Sequence, residues 1–136
     1  MTTGESSRSA VIEDQAALAA RLAAPGALAV ALIIVALHVI KPEFEPSWGF
    51  VSEYAIGLNG WIMKLAFLIW AASCIALALA LMRDVQTFLG RAGVGVLMLV
   101  AVALVFAGLF PQDPVTAKPD ELTRSGTIHA IASMIG

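Results

Sequence analysis

The stretch WIMKLAFLIWAASCIALALALM, residues 61–82, decides what kind of protein this is. Apart from Lys64 near its start, it holds only apolar or small side chains. Crossing the hydrocarbon core takes about 20 mainly apolar residues as a helix. A buried strand would end after a few residues. Lipid offers the backbone no partners, so only helices or closed barrels can span it. The apolar positions here run on continuously and do not alternate as barrel strands do. The stretch therefore predicts a transmembrane helix.

Two neighbours share its character. Residues 22–40, LAAPGALAVALIIVALHVI, come before it, and residues 92–110, AGVGVLMLVAVALVFAGLF, come after. Each is long enough to cross. A fourth segment, residues 125–136, SGTIHAIASMIG, has apolar helical spacing with Ser125 as its expected N-cap, and the sequence stops within it. Half a span would leave carbonyls unpaired in lipid, so the expectation is a fragment of a longer chain. The predicted fold class is all-α: a polytopic transmembrane helical bundle of three full spans plus the start of a fourth. Residues 1–21 form a polar tail, expected to be disordered or interfacial, with a short helix leading into the first span. Residues 22–136 form the transmembrane domain.

Composition agrees. The chain is 60% hydrophobic and 13% charged, against about 45–50% and about 25% in soluble domains. A net charge of -2 excludes the basic stripe that nucleic acid requires. The single cysteine, Cys74, lies inside an apolar run and reads as a small hydrophobe, which excludes a disulfide framework. Lys and Arg divide evenly between the two sides, but Arg83 and Arg91 crowd one short loop. That favours a cytoplasmic N-terminus in a multi-pass plasma-membrane protein, with both long loops outside. Trp48, Trp61 and Phe110 fall at one expected interface, where amphipathic rings settle. Small residues at helical spacing, Ala72, Ala76 and Ala80 in the second span and Gly93, Gly95, Ala103 and Ala107 in the third, suggest close helix contacts, although alanine is common throughout.

Because helix direction alternates, one membrane face collects the notable polar groups. These are His38, Ser52, Glu53, Tyr54, Asp113 and His129. The other face offers Arg83, Asp84, Gln86 and Arg91, an ordinary charged turn. Within PSWGFVSEYAIGLNGW, residues 46–61, Ser47 is the expected cap of an interfacial helix that ends at Gly57. Phe50 and Tyr54 would share its apolar side. Each polar residue has two readings. His38 and His129 are either functional groups at the membrane edge or neutral rings bonded to loop carbonyls. Glu53 is either a site residue or a wet carboxylate. Asp113, in FPQDP, either joins a site or bonds its own turn. Tyr54 reads as an interfacial anchor. Together two imidazoles and two carboxylates would suit a divalent metal, or acid–base work on a lipid-like substrate. No HExxH-type spacing links them, so no cofactor is expected and a metal is a weak alternative.

The motifs SEYAIGLNGWIMKLAF, GLFPQDP and TRSGTIHAIAS, together with the histidine late in the first span, resemble the integral-membrane family known as domain of unknown function 998. The resemblance covers His38 to Ser133. It implies a compact helical protein of roughly six spans and carries over His38, Ser52, Glu53, Asp113 and His129 as motif positions. It names no reaction. The expected function is a binding or accessory role, toward a lipid headgroup, a small solute or a partner subunit. The alternative is a membrane-embedded hydrolase or transferase using the His/Glu/Asp cluster. A transporter is a weaker third reading, because the spans lack a midplane charge and a broken centre.

Overall fold

A computed structural model describes residues 3–44, 47 and 49–135. All regular structure among them is helical. Helix α1 runs Thr3–Ile40, α2 Gly60–Leu81, α3 Phe88–Leu109 and α4 Arg124–Ile135, with a short 3-10 helix at Val51–Ala55. Three segments are long and apolar enough to cross a membrane: Ala17–Ile40, Gly60–Leu81 and Phe88–Leu109. The chain is thus an all-α bundle of membrane-crossing helices with a shorter fourth. Of the two expectations for residues 1–21, disordered or interfacial with a short helix into the first span, the helix is present and longer, since α1 begins at Thr3. A run from Ser9 to Leu22 without glycine or proline and rich in alanine gives that segment strong helix propensity.

Helix α2 sits in the middle, packed on α1 along one side and on α3 along another, while α4 packs on α3. Its buried positions Met63, Phe67, Ala71, Cys74 and Ala78 recur every three or four residues, with Ala66 beside Phe67 on the same face. All but Ala78 meet Val30 and Leu37 of α1 and Ala101, Leu104 and Ala107 of α3 in one core. The expected row at Ala72, Ala76 and Ala80 is not the buried one: Ala72 is exposed and the other two are half-buried. On α3 the small residues divide. Ala103 and Ala107 are buried, whereas Gly93 and Gly95 border open space.

Two glycines set how closely the helices approach. A Cβ on Gly26 would run into the Ser73 hydroxyl of α2, and one on Gly108 would lie 3.1 Å from the Lys64 carbonyl oxygen. Backbones that near are typical of lipid-embedded helices, which gain from van der Waals contact and not from a hydrophobic drive. The opposite faces carry Leu28, Leu32 and Val35 on α1 and Leu99, Val102 and Phe106 on α3, all exposed. In lipid that exposure is solvation.

At one end, α2 and α3 are joined by a charged turn. Gln86 Nε2 donates to the Arg83 carbonyl at 2.9 Å, and the Thr87 hydroxyl accepts the Gly90 N–H at 3.1 Å as the N-cap of α3. The polar groups of interest gather at the other end.

Candidate functional site

The polar face starts where α1 stops. Pro42 cannot continue the helix, and Lys41 turns inward to 1% exposure. Its ammonium donates to the Tyr54 carbonyl at 3.2 Å and to the Ile56 carbonyl. It also lies 4.7 Å from the centre of the Phe44 ring and 3.9 Å from Glu43. These carbonyls close the 3-10 helix, and a cation at such an end is favourable. Lys41, counted from sequence only as a topology charge, is the clamp that fastens the loop to α1.

The SEY segment faces the protein and not the water. Glu53 is 6% exposed. Its Oε2 accepts the Phe50 N–H at 3.1 Å, and its Oε1 accepts the Val115 N–H at 3.0 Å. One carboxylate thus starts the 3-10 helix and ties it to the loop after α3. Ser52 adds a second tie, its hydroxyl donating to Gln112 Oε1. The expected interfacial helix is shorter and tighter than its sequence suggests. With three residues per turn, Phe50 and Tyr54 no longer share a side. Tyr54 is buried, with ring centroids 5.2 Å from His38 and 5.7 Å from Phe44, while Phe50 is exposed. Gly57, at φ 70°, and Asn59, at φ 61°, make the left-handed turn into α2. A Cβ on Gly60 would meet the Ala55 carbonyl. Trp61 is exposed at the start of α2 as an interfacial ring would be; Trp48 lies outside the described residues.

Asp113 does not bond its own turn. Its Oδ2 accepts the Thr123 N–H and its Oδ1 the Thr123 hydroxyl, both at 2.8 Å. That hydroxyl in turn accepts the Gly126 N–H at 3.0 Å. Thr123, not Ser125, therefore caps α4. Ser125 donates instead to the Pro111 carbonyl at 2.9 Å. Gly126 is required here, because a Cβ would occupy the place of the Asp113 carboxylate. One turn on, His129 is 1% exposed, with Nδ1 2.8 Å from the Phe110 carbonyl oxygen. His38 is different: it is exposed, and its Nδ1 lies 2.7 Å from the Ile34 carbonyl one turn back.

These ties shape a cleft of about 780 Å³ between α2, α4, the 3-10 helix and the loop after α3. Its rim carries Ser52, Gln112, Asp113 and Thr127 beside the apolar Phe50, Val51, Val115 and Leu122. Below the rim its α2 wall is Met63, Phe67 and Trp70, one stripe at spacings of four and three. At 1.5 Å per residue that stripe runs roughly 10 Å into the bilayer. On the α4 side lie His129, Ala130, Ser133 and Met134. Among the described residues no lysine or arginine lines the cleft.

The four ionisable candidates divide between two hollows. Asp113 and His129 border the large cleft, whereas His38 and Glu53 border a separate hollow of about 70 Å³ beside Tyr54. Among the described residues no group of three or more His, Cys, Asp or Glu is placed to hold a metal. Both carboxylates have each oxygen bonded to backbone or hydroxyl donors. Sequence reasoning missed Lys41, Gln112, Thr123 and Gly126. Of these only Thr123 left a signal, as an N-cap residue type just ahead of a helix.

No match is found among curated proteins or among solved structures. Residues 22–136 match the family described as "Protein of unknown function (DUF998)", and the chain belongs to that family.

Proposed function

We propose that this protein is a membrane-embedded binding protein that holds an amphipathic, lipid-like molecule in the cleft between α2 and α4. The observation that carries this is the lining of the cleft: Ser52, Gln112, Asp113 and Thr127 stand among apolar side chains at the rim, with Met63, Phe67 and Trp70 beneath. A polar end and an apolar tail of that spacing suit an amphiphile lying parallel to the helices. The exposed Met134 and the partly exposed Trp70 leave a side entrance from the lipid. A catalytic role for the His/Glu/Asp cluster has less support, because the carboxylates brace loops and stand in different hollows. We place the protein in the plasma membrane with its N-terminus in the cytoplasm and the cleft at the outer face. The crowding of Arg83 and Arg91 in one short turn supports that orientation.

Photocrosslinking tests the binding reading. A fatty-chain probe with a mid-chain diazirine, added to the reconstituted protein, should label peptides containing residues 63–70 and 126–134 above all others. Even labelling over the outer faces of α1 and α3 would refute it.

A further inference from the structure

The hydrogens at the cleft rim decide what the cleft can hold. Thr127 Oγ1 lies 3.0 Å from the Thr123 carbonyl oxygen. A carbonyl oxygen only accepts, so the Thr127 hydroxyl directs its hydrogen there and keeps lone pairs for the cleft. The Ser52 hydroxyl donates to Gln112 Oε1 and is likewise left as an acceptor. Asp113 accepts one bond at each oxygen, both from Thr123. A carboxylate has about four acceptor positions, so two stay open, and these bonds leave its negative charge in place. His129 offers the cleft no nitrogen, because Nδ1 is on the Phe110 carbonyl and Nε2 is closed off from the surface. Against these acceptors, the polar side chains of the rim leave one donor group, the Gln112 amide.

Charge points the same way. Asp113 is the one carboxylate in the lining, and among the described residues no lysine or arginine joins it there or pairs with it. Arg124, close by in sequence, is exposed and outside the lining. The start of α4 offsets about half a charge at most. An anionic headgroup would therefore meet a like charge and a rim of acceptors. A neutral hydroxyl has one hydrogen to give and leaves the carboxylate without a counter-charge. A protonated amine brings three N–H donors and one positive charge, and hydrogen bonds between ionised groups are the stronger kind. We infer that the occupant of the cleft is a cationic amphiphile whose ammonium N–H groups donate to Asp113, with Ser52 and Thr127 as further acceptors and its chain along Met63, Phe67 and Trp70. This rests on the binding role proposed above and names the chemistry of its ligand.

Trp70 is a built-in reporter. In a protein with Trp48 and Trp61 replaced by phenylalanine, held in zwitterionic nanodiscs at neutral pH, saturable quenching of Trp70 can be titrated as mole fraction in the bilayer. Four terminally brominated chains of equal length serve as probes: a primary amine, a trimethylammonium, an alcohol and a phosphate. The amine should bind about tenfold more tightly than the alcohol, the difference of one hydrogen bond to a charged group. The trimethylammonium, charged but without N–H groups, should fall between them, and the phosphate should bind most weakly. Asp113→Asn keeps an acceptor for the Thr123 N–H, and its amide can donate to the Thr123 hydroxyl. It removes the charge and should erase the preference for amine over alcohol. Thr127→Val should weaken the amine and leave the trimethylammonium unchanged. If Asp113→Asn does not fold, the series on the parent protein decides alone. An alcohol or phosphate that binds as tightly as the amine, or an amine preference that survives in Asp113→Asn, overturns the cationic assignment and leaves the cleft reading standing. A trimethylammonium as tight as the amine overturns the role of the N–H groups. No saturable quenching by any chain overturns the cleft reading itself.

Discussion

Glu53 illustrates how a residue conspicuous in sequence can serve the fold. Its two oxygens accept N–H groups from Phe50 and Val115, one within the loop and one from the segment after α3. Glutamine at this position offers one acceptor and one NH2 donor, so one of the two backbone N–H groups loses its partner. Glu53→Gln should therefore destabilise the protein by about 1–3 kcal/mol, the cost of an unsatisfied buried donor. Chemical unfolding of the reconstituted protein measures this, and an unchanged midpoint would contradict the bracing role. The burial of Glu53 was not legible from the sequence because its second partner lies 62 positions away. Lys41 hid for a similar reason: a lysine after an apolar run looks like a charge left in water, and only the fold brings the Tyr54 and Ile56 carbonyls to it. His129 had two readings in the sequence, and its bond to the Phe110 carbonyl is the one that treats it as a ring satisfied by a carbonyl at the membrane edge.

The elements of the polar face are joined by side chains, not by long helix contacts. Ser52 to Gln112 and Glu53 to Val115 link the 3-10 helix to the loop after α3, and Asp113 to Thr123 links that loop to the start of α4. Ser52→Ala, Gln112→Ala and the double variant form a cycle that isolates the first link. A coupling of about 0.5–1.5 kcal/mol is expected, as for one hydrogen bond. Strict additivity would show that the contact contributes nothing. The three spans were legible, because a span needs only length and composition. Helix detail was not. The small residues of α2 that pack are Ala66, Ala71 and Ala78, and alanine is too frequent along that helix for spacing alone to single them out. The start of α4 turned on Asp113 holding Thr123, a contact made across a loop.

For the whole molecule, alternation of helices separates a braced polar end from a plain charged turn. The two ends can be told apart by labelling single cysteines in a protein with Cys74→Ala. An impermeant thiol reagent on intact cells should label a cysteine at Ser47 and spare one at Gln86; the reverse pattern would invert the proposed orientation. The cleft is one continuous trough, partly polar at its rim and apolar along α2. Ala130 lines that trough and is exposed, so Ala130→Trp should fill it while changing stability little, within about 0.5 kcal/mol. Native mass spectrometry of the purified protein and this variant is the most direct test. The account predicts that the parent carries a bound amphiphile as a discrete added mass and that Ala130→Trp lacks it. The same adduct on both, or no adduct on either after incubation with a long-chain amine, would contradict it.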